Sequence, residues 1–343
     1  MSSTSANRDR VRAASTEVDL SCPDSESPAG ELPGWRAAGQ RYFSLGRALR
    51  ARFGRRVQKV SIDAGFTCPN VDGSVAVGGC SFCDNRSFSP SRRLPRQSIT
   101  DQIDEGIKRL KRRYQCEDFL AYFQPATNTY APVDRLRTVY QEALKHPQVV
   151  GLAIGTRPDC VGDDVLALLE EIAVNNPLYV EYGMQTMHDR SLDWMNRGHH
   201  HDVMVDAVSR SRGRGFEIGA HVILGLPGET HSEMLDTARE IGRLDLDSIK
   251  IHNLYVVHNT RLAEECARGE ARMMERDEYV QTLVDFIEIL PPSIVIERIT
   301  GEAPSDFFVG PTWALDKSAV RNAVDKEFER RDSWQGKWYR KRS

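Results

Sequence analysis

Much that would make this chain easy to read is missing from it. No apolar run approaches the roughly 18 residues that span a bilayer, and the N-terminus carries no apolar h-region, so the expected compartment is the cytoplasm, with no membrane partner. Neither sign of charge dominates. The 46 lysines and arginines stand against 49 aspartates and glutamates, a net charge of −3, which argues against a surface coated with positive charge for nucleic acid but leaves room for a local basic patch. No RRM, KH or OB pattern is present. Cysteine is scarce, seven in 343 residues, and thiols in a reducing compartment are not expected to pair as disulfides. Hydrophobic content of 40% is ordinary, enough for a core in one large α/β domain or two small ones.

What is present is concentrated. Cys68, Cys80 and Cys83 fall in one glycine-rich loop, spaced C-x11-C-x2-C, directly after the strand-like run Val57–Asp63. Cys22, Cys116, Cys160 and Cys266 are scattered singly and read as ordinary thiols. Three readings of the cluster compete. Structural zinc suits the two-residue gap between Cys80 and Cys83, but closed zinc sites want four ligands and no second Cys-x-x-Cys follows. A thioredoxin-like dithiol leaves Cys68 unexplained. An iron–sulfur cluster uses all three thiolates and keeps one iron open for an exogenous molecule.

The segments Cys68-Pro69-Asn70-Val71-Asp72-Gly73 and Gly78-Gly79-Cys80-Ser81-Phe82-Cys83 resemble the radical S-adenosylmethionine (SAM) superfamily, whose usual signature is C-x3-C-x2-C with an aromatic residue where Phe82 stands. The first gap here is eleven residues, as in the branch related to the Elp3 tRNA-modifying proteins, and the YhcC/YtqA-like proteins resemble this chain from about Gly34 to Tyr339. The resemblance implies that Cys68, Cys80 and Cys83 hold a [4Fe–4S] cluster whose open iron chelates SAM. One-electron cleavage then yields a 5′-deoxyadenosyl radical that abstracts hydrogen from substrate. A one-electron donor such as a flavodoxin or ferredoxin is an implied partner.

Read in order, residues 1–33 are rich in Ser, Asp, Glu, Arg, Pro and Gly, the composition of a disordered extension. An amphipathic lead-in follows (Tyr42, Phe43, Leu45, Leu49), with arginines from Arg41 to Arg56 that face either an anionic partner or solvent. Strand-like runs then recur at Val57–Asp63, Phe119–Gln124, Val149–Thr156, Leu178–Gly183, Phe216–Leu224 and Ser248–Val256, with helical periodicity between them. Ser98 and Asp101 are placed as a capping box for the helix after the cysteine loop. Ile294–Ile299 reads as a further strand. Alternating strands and helices predict a parallel sheet with right-handed crossovers. Six units are fewer than the eight of a closed barrel, and they fit the partial (β/α)6 TIM-like barrel of the radical SAM type, with a core at 34–300 and a C-terminal helical extension at 301–343.

In such sheets chemistry gathers at the carboxyl ends of the strands. There stand Gln124 and Thr127, where the family usually has a Gly-Gly-Glu-like turn that this chain lacks. Arg157 beside Asp159 suits ribose or carboxylate binding, or a helix-start turn. Glu181 lies within an apolar run, where an acid is costly without a partner; by resemblance Glu181 and Gln185 line the SAM pocket, and structurally Glu181 could pair with Arg157 or Lys250. His221 and Gly225 open the glycine-rich turn that by resemblance packs against adenine. Lys250, His252, Asn253 and His258 follow strand six. The run His199-His200-His201 does not face one way on a helix, which weighs against a metal there. Trp334, Trp338 and Tyr339 among cations suit base stacking or the docking of a C-terminal helix.

The substrate is the least determined point. The resemblance favours tRNA, at the side chain of a wobble uridine. Radical chemistry on a small metabolite or peptide is a second reading, and a non-catalytic, zinc-stabilised nucleic-acid-binding protein is a third.

Overall fold

Alternation of buried apolar strands with amphipathic helices produces the expected parallel architecture. The computed structural model describes residues 33–84, 97–301 and 303–340; the expected disordered extension, Cys22 and the last basic residues lie outside them. The strands are β1 (Val57–Ile62), β2 (Asp118–Phe123), β3 (Val149–Thr156), β4 (Leu178–Gln185), β5 (Glu217–Leu224), β6 (Ser248–Asn253), β7 (Val256–Val257), β8 (Val295–Arg298) and β9 (Phe308–Gly310). The helices are α1 (Gly34–Ala37), α2 (Leu45–Phe53), α3 (Ile99–Tyr114), α4 (Val133–Leu144), α5 (Asp163–Ala173), α6 (Asp189–Trp194), α7 (His201–Ser211), α8 (His231–Leu244), α9 (Arg261–Ala267), α10 (Arg276–Ile289) and α11 (Lys317–Arg330). Seven strands form one sheet in the order β1-β2-β3-β4-β5-β6-β8, every pair parallel. The run Ile294–Ile299 thus supplies a seventh staff to the six-unit partial barrel. The expected strand at Ser248–Val256 divides into β6 and β7, and β7 pairs antiparallel with β9.

Two cores hold the sheet. Outside it, Phe119, Ile154, Val180, Leu283 and Phe286 belong to one large cluster packed by the helices. Burying a side chain of this size stabilises the fold by about 1.5–3 kcal/mol. Inside it, Leu49 and Phe53 of α2 meet Leu120, Tyr122, Ala153 and Tyr179 and close the amino-terminal end of the barrel. Leu45, Leu49 and Phe53 recur every four residues, which places them on one stripe of α2. The helix stops at Gly54, whose φ of 67° is the left-handed conformation glycine adopts without steric cost.

The lead-in arginines are largely engaged. Arg52 bonds Glu217 and the Tyr179 hydroxyl, Arg55 bonds Asp118, and Arg56 donates to the Tyr114 carbonyl. They fasten α2 to neighbouring strand and helix ends, leaving little of this run for an anionic partner. At the other end of the chain, Val320, Val324 and Phe328 of α11 enter the outer core. Arg36 stacks over the Trp334 ring at 3.1 Å, and the Trp338 N–H donates to the Glu288 carbonyl. Trp334 is therefore a docking residue. Of the capping box expected at Ser98, the structure shows the Ser98 oxygen accepting from the Asp101 N–H. No helix among the described residues is long and apolar enough to cross a membrane.

Candidate active site

The carboxyl ends of the strands surround a cavity of about 550 Å³. The loop after β1 forms one wall and brings Cys68, Cys80 and Cys83 to it together with Phe82. This loop is tied down from two sides. Asn70 donates to the Asn196 carbonyl at 2.6 Å and the Arg197 carbonyl at 3.1 Å, while Asn196 donates to the carbonyls of Val77 and Gly79. Ser81 bonds the Trp194 and Met195 carbonyls. The Asn196-Arg197-Gly198 turn is thus a clamp on the cysteine loop, a role the sequence did not disclose. The histidines after it diverge: His199 bonds the His200 carbonyl, His200 bonds Asp193, and His201 bonds Glu240.

Of the three thiol residues Cys80 is buried, and Cys68 and Cys83 are half-buried. Burial pushes the Cys83 thiol well above its ordinary range, and the neighbouring Cys80 and Cys68 push it further. Donors already point at the sulfur of Cys80: Asn70 Nδ2 at 3.5 Å and Arg197 Nη1 at 3.7 Å. Among the described residues, no group of three or more His, Cys, Asp or Glu side chains is gathered tightly enough to hold a single metal ion. A lone zinc asks for four converging donors at about 2–2.3 Å, whereas an iron–sulfur cluster takes its thiolates on separate irons. The residues present fit the cluster. Three buried polar atoms nearby lack any partner, namely Asn70 Oδ1, Arg157 Nη1 and Arg197 Nε.

Gln124, Thr127 and Gln185 line the cavity from the ends of β2 and β4. Gln124 accepts from Ser61 at 3.2 Å, and Thr127 is tied by its N–H to the Thr67 carbonyl. Gln185 has a φ of 68°, at an irregularity where β4 slips one residue against β5. Arg157 forms a two-point bond to Asp159, 2.8 and 2.7 Å, and donates to the Arg197 carbonyl at 2.7 Å. Burial opposes its charge, but the Asp159 bonds outweigh burial and the guanidinium stays charged. Gly183 matters by what it omits. A Cβ there would stand 2.6 Å from the Arg197 guanidinium, which donates to the Gly183 carbonyl at 2.8 Å.

The floor of the cavity is a network of buried charges. Glu181 accepts from Lys59 at 2.6 Å on one oxygen, and on the other from Lys250 at 2.5 Å, His221 at 2.7 Å and the Tyr122 hydroxyl at 2.9 Å. Lys59 also reaches Glu297 at 2.5 Å. Burial works against the charge of Glu181, yet Lys250, Lys59 and His221 together hold its carboxyl well below the usual range. His221 is driven the other way, by burial and then by Lys250, and stays neutral. Lys250 is therefore the structural partner of Glu181, and Arg157 is not. With both oxygens engaged, Glu181 orients Lys250 and His221 instead of standing free to accept from a ligand. Lys59, Tyr122 and Glu297 were missed in the sequence.

Gly225, expected beside adenine, is placed elsewhere. It lines a separate cleft of about 460 Å³ with His231 and Asp285. A Cβ at Gly225 would stand 2.7 Å from the Met274 sulfur, and its φ is 87°. Close packing of Met274 accounts for this glycine.

Comparison with known proteins gives the site its lineage. The model of the radical SAM superfamily matches residues 75–241, starting after Cys68, and that of the Radical_SAM C-terminal domain matches 246–330. Uncharacterized protein YtqA of Bacillus subtilis is 38% identical over 302 residues, 88% of this chain and 94% of YtqA. The tRNA uridine(34) acetyltransferase of Methanocaldococcus jannaschii is 26% identical over 192 residues, 55% of this chain and 34% of that protein. In structure, the archaeal Elp3 of Methanocaldococcus infernus superposes with a TM-score of 0.63 at 19% identity, over 81% of this chain and 64% of that one. A cysteine loop at the carboxyl end of a parallel partial barrel and similarity to YtqA over 88% of the chain lead to one conclusion: this chain is a radical SAM enzyme of the Elp3-related YhcC/YtqA-like family, whose cofactors are a [4Fe–4S] cluster and SAM.

Proposed function

We propose that Cys68, Cys80 and Cys83 hold the cluster at the cysteine wall, that SAM lies in the adjoining cavity, and that the enzyme modifies tRNA at the side chain of a wobble uridine. The observation that carries the site is the convergence of three thiols, spread over sixteen positions of loop, on one wall of the cavity at the carboxyl ends of the strands. When bound, the cluster and SAM supply one-electron cleavage of a sulfonium carbon–sulfur bond. The chain's own residues do the rest. Arg157, fixed by Asp159, presents its unpartnered Nη1 to a carboxylate or ribose hydroxyl. Gln124, Thr127 and Gln185 offer neutral hydrogen bonds at the rim, and Phe82 supplies apolar cover beside Cys83. His221 is kept neutral and donates through Nε2 to Glu181, so it cannot add positive charge to the floor.

Similarity to a tRNA uridine(34) acetyltransferase over 55% of the chain supports tRNA as the substrate. The test compares modified nucleosides in total tRNA from cells with and without the gene. A wobble uridine whose side chain changes on deletion is the expected result; unchanged tRNA moves the reaction to a small metabolite or peptide. The electron donor of this reading is a small redox protein, and localisation to the cytoplasm follows from the same substrate.

A further inference from the structure

Among the described residues, the ionisable side chains around the cavity, Asp84 included, have partners except at one place. Lys59 and Lys250 are matched by Glu181 and Glu297, and Arg157 by Asp159. Arg197 lies against the sulfur of Cys80. Arg298 remains: it lines the cavity, and among the described residues it makes no ion pair and no side-chain hydrogen bond. It faces inward because of a flaw in the pleat. Successive strand residues normally point to opposite faces, but the pairing of β6 with β8 slips between Ile249 and Lys250, so that Lys250 opposes Arg298. Ile296 and Ile299 point into the outer core, while both Glu297 and Arg298 point inside. Such bulges re-aim side chains at functional sites.

His252 stands next to it on β6. Its Nε2 is buried without a partner, and its ring lies 5.6 Å from that of His221. Burial, then Arg298, His221 and Lys250, hold the His252 imidazole neutral, well below its ordinary range. This wall therefore carries more positive potential than its own groups compensate. An anion would relieve it. The cysteine wall has separate donors for the SAM carboxylate in the unpartnered atoms of Arg157 and Arg197, so the Arg298 wall is left for another molecule.

Resting on the reading of the cavity as the site of radical chemistry, we infer that Arg298 and His252 form a subsite for an acidic group, a carboxylate or a phosphate, on the molecule being modified. Arg298 supplies a fork of N–H donors to such a group, and His252 Nε2 adds one more. No covalent step is assigned to either residue; they position the substrate for hydrogen abstraction.

Equilibrium dialysis of the cluster-loaded full chain against labelled orthophosphate and labelled malonate, with and without saturating SAM, tests the subsite. With SAM saturating, one saturable equivalent of anion is expected, with affinity at least about tenfold weaker in Arg298→Gln and within about threefold of wild type in Arg298→Lys. His252→Gln should fall between them. Tighter phosphate binding identifies a phosphate as the group; tighter malonate identifies a carboxylate. The proposal is overturned by the absence of saturable binding in the presence of saturating SAM, or by Arg298→Gln binding there as wild type does. Reductive SAM cleavage by the same wild-type preparation reports separately on the underlying reading. Its failure would remove that reading without altering the dialysis result.

Discussion

The floor and the rim of the cavity are built from the same kinds of side chain and treat them in opposite ways. On the floor, two lysines and two glutamates are matched, and both oxygens of Glu181 and the Tyr122 hydroxyl have partners. At the rim, Asn70 Oδ1, Arg157 Nη1 and Arg197 Nε are buried with none. A buried polar group without a partner costs about 1–3 kcal/mol. The floor is complete in itself and fixes the shape of the barrel. The rim is completed by what binds there.

The rim should break first and most completely. Replacing Cys68, Cys80 or Cys83 singly by alanine is expected to lower iron content by roughly tenfold or more after anaerobic reconstitution, and to abolish reductive SAM cleavage. Iron analysis and detection of 5′-deoxyadenosine check it. Because these residues lie in a loop, thermal unfolding of the metal-free variants should match that of the metal-free wild type. Retention of iron by any one variant would remove that cysteine from the site.

The floor should break differently, through stability. Glu181→Gln leaves Lys59 and Lys250 facing each other with only Glu297 between them, and loss of one partner from a buried ionic cluster costs about 3–5 kcal/mol. Urea unfolding of the metal-free protein measures it. Lys250→Met in the Glu181→Gln background should restore part of the loss, since it removes the charge left uncompensated. The pH sign follows from the same groups. Glu181 and Glu297 are held below the usual carboxylate range, so their contribution is present above that range and is lost as pH falls through their lowered values. A loss within about 0.5 kcal/mol for Glu181→Gln would mean that the network is not stabilising as a unit.

This contrast also explains what could be read beforehand. The cysteine part of the rim is local in sequence: Cys68 to Cys83 is one loop, and its chemistry is visible as a spacing. The staves were legible because buried parallel strands are continuous apolar runs. Glu181 stood out as an acid among apolar neighbours, and Lys250 was one of its foreseeable partners. Lys59 was not, since it lies 122 positions from Glu181 in a strand whose pattern gives no hint of an inward cation. Glu297 and Arg298 were illegible for another reason. Alternation forbids two adjacent inward residues, and only the slipped register of β8 permits them. Gly225 misled because a glycine after a strand has several uses, and here Met274 occupies the space a side chain would need.

A smaller effect should sharpen the line between rim and floor at Arg197, a rim residue tied to β4, the strand that carries Glu181. Its Nη1 points at Cys80 and its Nη2 holds the Gly183 carbonyl on β4. Arg197→Met keeps bulk and removes charge and donors. The bound cluster should become harder to reduce, by roughly tens of millivolts, because donors to the sulfurs and nearby cations favour the reduced form. Spectroelectrochemical titration under argon measures this. A merely structural role would alter iron retention and leave the midpoint of the remaining cluster unmoved.

The smallest effect lies beneath the floor, where compensation is incomplete. Burial pushes the Glu217 carboxyl up to about 7, while the Arg52 guanidinium pulls it back. A carboxyl raised in the folded state takes up protons more readily there than in the unfolded chain. Stability therefore falls as pH rises from the ordinary glutamate range through about 7, the reverse of Glu181. The Glu217 side chain is 34% exposed, and solvent screening keeps the effect near about 1 kcal/mol or less. Glu217→Gln should flatten this limb, so that the difference in melting temperature between wild type and variant changes between pH 5 and pH 8. If the two melting curves move in parallel across that interval, the Arg52 bond fully offsets the burial of Glu217, and the base of the barrel is as well compensated as the floor above it.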